Sequence, residues 1–181
     1  TVLVPMDAAE VAEAVDLALE IQGPVYIRIS RSPMEYLTKA IPGSSLFEPA
    51  LMADGRDLTV FANGLMTTEA LQAREILAKE GISLRVVNVS CVKPLSKEAI
   101  QRWAEDVQGV ITVEEHSVIG GLGSAVLEAL ALSPRPTYVM GAEDVFGQSA
   151  QSHEELLVYY GLTKEAICQR ARFLLGRREA S

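Results

Sequence analysis

The chain predicts an α/β sandwich built on a mainly parallel sheet, and three observations carry that expectation. Short apolar runs rich in Val, Ile and Leu alternate with helix-length segments whose apolar residues recur every three to four positions. Ser, Thr or Asp stands at several helix starts, with Glu three residues on at Asp7/Glu10 and Ser152/Glu155. Gly or Pro punctuates most junctions.

Taken in order, residues 2–5 read as a short strand, and Asp7 caps a helix whose stripe is Val11, Val15, Ala18 and Leu19. Gly23-Pro24 stops that helix, and Val25 to Ile29 form a second strand. Residues 32–56 contain Pro33, Pro42, Gly43, Ser44, Ser45, Pro49 and Gly55 without a sustained period, which predicts a linker. Strand, helix and strand then follow at Leu58–Ala62, Thr68–Lys79 and Leu84–Val89. Lys93-Pro94-Leu95-Ser96 opens a helix carrying Ile100, Trp103 and Val107, and Val110–Val113 is the next strand. A glycine turn leads into a helix over 124–132, followed by a strand at Thr137–Met140. Two helices close the chain, one capped by Ser152 and ended by Gly161, the other capped by Thr163 and running to about Gly176.

These elements divide into a partial α/β unit at 1–33, a linker at 34–56 and a domain at 57–178 large enough to fold alone. Two strands and one helix cannot cover both faces of a parallel pair, so the first unit is expected to be either the margin of a larger domain or packed on a neighbour. The chain starts at Thr1 and enters a strand at once, which reads as a cut end. Apolar surface on 2–4 and 25–29 then needs a partner, so self-association or poor order of the first residues is expected.

The chain has 181 residues, is 49% hydrophobic and carries a formal charge of −8. No basic stripe exists for nucleic acid. No apolar run approaches a membrane span, and there is no charged-then-apolar leader, so a cytoplasmic protein is expected. Cys91 and Cys168 form no CxxC pair, so neither zinc nor a disulfide framework is suggested, and buried apolar packing is the simpler reading of both.

The most informative stretch is Glu114-Glu115-His116-Ser117-Val118-Ile119-Gly120-Gly121-Leu122-Gly123-Ser124-Ala125. It reads as a buried strand with a charged tip, then a glycine turn that lets the backbone pass close to the next helix. Gly121-Leu122-Gly123 is half of a dinucleotide fingerprint, but Val126 stands where the third glycine belongs. A histidine beside two carboxylates could be a base or a metal ligand, and a polar strand end facing a loop or an interface between subunits is the simpler reading. His153, between Ser152 and Glu154, is expected at the surface, and Trp103 in the core. Asp7 follows a strand at a helix N-terminus, a place for a capping carboxylate or a ligand contact. Arg31 follows the second strand at the same edge, where it is either a solvated strand end or, converging with Asp7 on one crevice, a binder of phosphate.

The string at 114–125, with Phe146-Gly147-Gln148-Ser149 and Tyr160-Gly161-Leu162-Thr163, closely resembles the last domain of the transketolase family, above all the C-terminal subunit of split transketolases. Val2–Glu10 and Gly23–Arg31 resemble the end of that family's pyrimidine-binding domain. The resemblance implies that Asp7 contacts a sugar hydroxyl and Arg31 holds the sugar phosphate. Ser30-Arg31 resembles transketolase more than deoxyxylulose-phosphate synthase, where proline usually precedes the arginine, whereas Ser32-Pro33 departs from some members. The family binds thiamine diphosphate and Mg2+ through a Gly-Asp-Gly … Asn motif that does not occur here. The resemblance therefore implies a piece with two substrate contacts and no cofactor, metal or catalytic residue of its own, inactive alone. The implied parent reaction is transfer of a two-carbon ketol unit between sugar phosphates, and the implied partner is the N-terminal part or subunit. The alternatives are a piece of deoxyxylulose-phosphate synthase or of an oxo-acid dehydrogenase beta subunit, a non-catalytic assembly or regulatory domain, and a small-anion module on Gly120–Gly123.

Overall fold

The computed structural model describes residues 1–32, 36–37 and 45–177, so Pro33, Pro42, Gly43 and Ser44 of the expected linker lie outside the described residues. The first unit comprises β1 (Val2–Leu3), α1 (Ala8–Glu20) and β2 (Tyr26–Ile27). The rest comprises β3 (Ala50–Ala53), β4 (Leu58–Ala62), α2 (Met66–Ala78), β5 (Leu84–Asn88), β6 (Cys91–Lys93), α3 (Lys97–Ala104), β7 (Gly109–Ser117), α4 (Leu122–Ala129), β8 (Thr137–Ala142), α5 (His153–Tyr159) and α6 (Lys164–Leu174).

The main sheet has five strands in the order β3-β5-β4-β7-β8. β5, β4, β7 and β8 run parallel, and β3 pairs antiparallel to β5 at the edge. Period-two alternation sorts its side chains to two faces. Leu58, Val60, Ala62, Leu84, Val86, Ile111 and Val113 pack with Met66, Ala70, Ala73 and Leu77 of α2 and Ile167, Cys168 and Ala171 of α6. Phe61, Val87 and Val110 pack with Ile100 and Ala104 of α3 and with Leu122, Val126 and Ala129 of α4. Both faces are thus covered, which is why every residue of β4 and β5 is buried. This is the expected three-layer α/β arrangement.

Two strands go beyond the sequence reading. Residues 50–53, within the stretch expected to be linker, form β3, whose Ala-Leu-Met-Ala sequence has little strand propensity and is held by its ladder to β5. Cys91–Lys93, of which the sequence reading places only Lys93, at the opening of a helix, forms β6 and pairs antiparallel with β1. The small sheet is therefore β2-β1-β6, with its third strand drawn from the later part of the chain. Beneath it lies a modest core of Leu3, Ala14, Leu46 and Cys91, flanked by Leu17, Val25, Ile27 and Phe47. Among the described residues, β2 has no strand on its other side.

A polar network ties the two parts together. The buried Glu10 carboxylate accepts from Met6 N at 2.8 Å, Asn88 Nδ2 at 3.0 Å and Ser90 Oγ at 2.7 Å. The sequence predicts that Glu10 closes a capping box on Asp7, but its carboxylate reaches one residue further back, to Met6 N, because Asn88 and Ser90 draw it towards β6. Burial raises the Glu10 pKa above the ordinary carboxyl value, while these hydrogen bonds lower it in part. Cys91 and Cys168 are buried thiols, each pushed up to about 11 by burial, in keeping with apolar packing.

Candidate functional site

The glycine turn is built for close approach. A Cβ on Gly121 would collide with the Glu114 carboxylate, and one on Gly123 would collide with Val139 Cγ1 and stand 2.9 Å from Thr112 Oγ1. Only glycines let α4 settle this closely on β7 and β8. Alternation along β7 turns Glu114 to the α4 face with Val110 and Thr112. Its Oε1 accepts from Gly123 N at 3.0 Å, so a buried carboxylate of the chain itself occupies the N-terminus of α4. Ser124 Oγ closes the turn, accepting from Gly120 N at 2.9 Å and donating to Val118 O at 3.2 Å. An external anion at Gly120–Gly123 would have to displace Glu114, which removes the geometric basis of the small-anion alternative.

Glu115 and His116 diverge from Glu114. Glu115 Oε1 lies 2.6 Å from His153 Nε2, joining β7 to the start of α5. The Glu115 carbonyl accepts from Arg28 Nη1 at 3.0 Å, and Arg28 Nη2 donates to Asn63 Oδ1 at 3.2 Å. One guanidinium thus bridges the end of β2, the end of β4 and β7. Nothing in the sequence signals this, since the four residues come from four elements. His153, expected at the surface, is instead half-buried against Glu115, while Ser152 caps α5 by accepting from Glu155 N at 3.2 Å.

Asp7 and Arg31 sit differently. Asp7 exposes no surface, and each oxygen receives a backbone N–H: Oδ1 from Glu10 at 3.0 Å and Oδ2 from Leu37 at 2.9 Å. It is the N-cap of α1 in extended conformation. Arg31 is exposed and lines a cavity of about 770 Å3 with Arg28, Glu115, Ser152 and His153. The structure therefore brings Arg31 to Arg28 and the Glu115–His153 pair. Trp103, expected in the core, packs partly buried against α3–α4 beneath Arg85, which lies 5.5 Å from its ring. Arg85 is nearly buried and bonds Asp106 at 2.6 Å and Asp54 at 3.0 Å.

Among the described residues, no three His, Cys, Asp or Glu side chains gather to hold a metal ion. With no such cluster among the described residues and no Gly-Asp-Gly in the sequence, the residues present do not fit a magnesium diphosphate. No helix among the described residues is long and apolar enough to cross a membrane.

These features define an open α/β domain with its crevice at the carboxyl ends of the central strands, preceded by a small sheet that borrows a strand. Residues 50–167 match the family model of the transketolase C-terminal domain, and the chain belongs to the transketolase family. It is 37% identical over 171 residues to one subunit of the apulose-4-phosphate transketolase of Phocaeicola vulgatus, covering 94% of this chain and 54% of that protein. It is 38% identical over 179 residues to the SqwH subunit of the 6-deoxy-6-sulfo-D-fructose transketolase of Clostridium sp., covering 98% of this chain and 55% of that one. A solved split-gene transketolase, an inactive beta4 tetramer, superposes with a TM-score of 0.88 at 40% identity, covering 97% of this chain and 57% of that chain. The chain thus spans about half the length of these relatives.

Proposed function

We propose that this chain is the C-terminal portion of an enzyme that transfers a two-carbon ketol unit between sugar phosphates. Thiamine diphosphate and Mg2+ are held by an upstream portion or a partner subunit, the assembly contains more than one copy, and it works in the cytoplasm. Relatives that are subunits of transketolases, matched along nearly the whole of this chain, support the reading. The observation that carries it on the residues is Arg31, exposed at the end of the β2 segment in a large cavity beside Arg28. A planar guanidinium there suits the bidentate recognition a phosphate needs.

In this reading Arg31 meets the sugar phosphate directly. Asp7 is fully buried and each of its oxygens receives a backbone N–H, so we assign its main service to holding the turn before α1 and the segment at Leu37. The 181-residue chain alone is inactive in this proposal, and a solved split-gene transketolase of similar structure is an inactive beta4 tetramer.

The test is ketol transfer, with thiamine diphosphate and magnesium, by the chain alone and after addition of the missing portion. Activity is expected only in the second case, and Arg31→Met is expected to raise KM for a phosphorylated acceptor by about tenfold or more, equivalent to about 1.4 kcal/mol. Turnover by the chain alone, or an unchanged KM in the variant, overturns the assignment.

A further inference from the structure

Arg85 and Arg28 are both drawn into the protein and held by oxygens, yet by different chemistry. Arg85 meets two carboxylates, Asp106 at 2.6 Å and Asp54 at 3.0 Å, which answer its charge. Half-buried Arg28 meets neutral oxygens, the Glu115 carbonyl at 3.0 Å and Asn63 Oδ1 at 3.2 Å. A guanidinium carries five N–H donors, so two such bonds hold it in place and leave others unspent. Among the described residues Arg28 forms no ion pair. A cation withdrawn from water without a counter-ion is costly, and an anion that completes it removes the cost.

Glu115 is the acid placed to answer Arg28, since its own carbonyl holds the guanidinium. Its Oε1 lies instead 2.6 Å from His153 Nε2, so the histidine takes up the acid and leaves the arginine charge standing. Arg31 is exposed and likewise forms no ion pair among the described residues. Its position is set from both sides: Ser32 N donates to Ser30 Oγ at 3.2 Å, and Arg28 N donates to Leu3 O at 2.9 Å. Both guanidiniums line the same cavity of about 770 Å3, within the size range of small-molecule sites. Glu154, the other acid in that lining, is exposed. The cavity therefore presents two cations without counter-ions, one held from within the fold and one at the surface.

We propose that Arg28 is a second phosphate-binding residue, and that the phosphate of a sugar phosphate sits between its guanidinium and that of Arg31. Two guanidiniums match a phosphate dianion in charge, and each presents paired N–H groups to its oxygens. The inference deepens the assignment of Arg31 to the sugar phosphate and rests on it. It makes the later domain, through Glu115 and Asn63, the part that sets where the inner cation stands.

The experiment is titration calorimetry of ribose 5-phosphate into the complete protein with its partner chain, beside a ketol-transfer assay of the same sample. Arg28→Met is expected to weaken ribose 5-phosphate by about tenfold or more. Because methionine also breaks the bridge to Glu115 and Asn63, two variants at Asn63 separate charge from architecture. Asn63→Asp keeps an acceptor for Arg28 and adds a counter-charge, whereas Asn63→Leu removes the acceptor and adds none. The aspartate is expected to weaken binding by about tenfold or more, the leucine by less than about threefold. A residue that only held the fold would give the reverse order, since the aspartate strengthens the bridge and the leucine breaks it. That reverse order, an unchanged affinity in Arg28→Met, or no binding by the wild type at millimolar concentration overturns the proposal. Binding that follows the expected order in a protein without ketol transfer would uphold this site and count against the reaction alone.

Discussion

The five-stranded domain and the small leading sheet are made of the same elements, yet they solve burial in opposite ways. In the domain, α2 with α6 and α3 with α4 cover the two faces of one sheet, and Leu58, Val60, Phe61 and Ile111 have no exposure at all. In the leading unit α1 is the one helix among the described residues that packs on a pair of two-residue strands, and the third strand comes from the domain. Tyr26 at 61%, Ile29 at 51% and Leu19 at 83% exposure mark what remains uncovered. Closing a layer takes cover on both sides, and a unit that cannot supply it must borrow it.

The difference can be broken most forcefully by truncating the core on each side. Ile111→Ala, at a fully buried position between helices, is expected to cost about 2–5 kcal/mol and to lower the melting transition of the whole domain. Leu17→Ala, only partly buried on the small core, is expected to cost under about 2 kcal/mol and to loosen the first unit alone. Denaturant melts of the two variants check this, and equal losses would erase the contrast.

Gly123→Ala sharpens it on a finer scale. The added methyl group meets Val139 and Thr112, so a loss of about 1–3 kcal/mol is expected, larger than for the same change at Gly147, where a Cβ meets nothing within 4 Å. Thermal unfolding of the pair measures the difference directly.

The smallest expected effect sits at the seam. Because the Glu10 pKa is raised on folding by burial, its contribution to stability is fully present below its ordinary value of 4.5 and is lost as pH rises through the raised folded value. Stability of the wild type relative to Glu10→Gln should therefore fall with pH across that window, by at most about 1.4 kcal/mol per pH unit, and level off above it. Unfolding curves from pH 4 upward test the sign, and a rise would contradict it.

The same contrast governs what the sequence reveals. Strands such as Leu58–Ala62 and Leu84–Asn88 announce themselves as apolar runs, and the caps Asp7, Ser152 and Thr163 all bond the N–H groups their positions predict. β3 and β6 do not, because Ala50–Ala53 and Cys91–Lys93 become strands only through partners distant in sequence. β7 runs on to Ser117, past the expected end at Val113, because ladder pairing with β8 carries polar residues whose side chains find Gly123 and His153. The close approach at Gly121 and Gly123 is legible as a glycine pattern. The bridge from Arg28 to Asn63, Glu115 and His153 is not, since it is assembled from four elements and follows no spacing.

The most direct measurement is amide hydrogen exchange on the 181-residue chain, alone and combined with the portion that completes the proposed enzyme. The amides of Tyr26 and Arg28, bonded to Thr1 and Leu3, are expected to exchange far faster than those of β4 in the chain alone, and to slow on assembly. Equal protection of both strands before assembly, or no slowing after it, would show that the leading sheet stands complete without a neighbour.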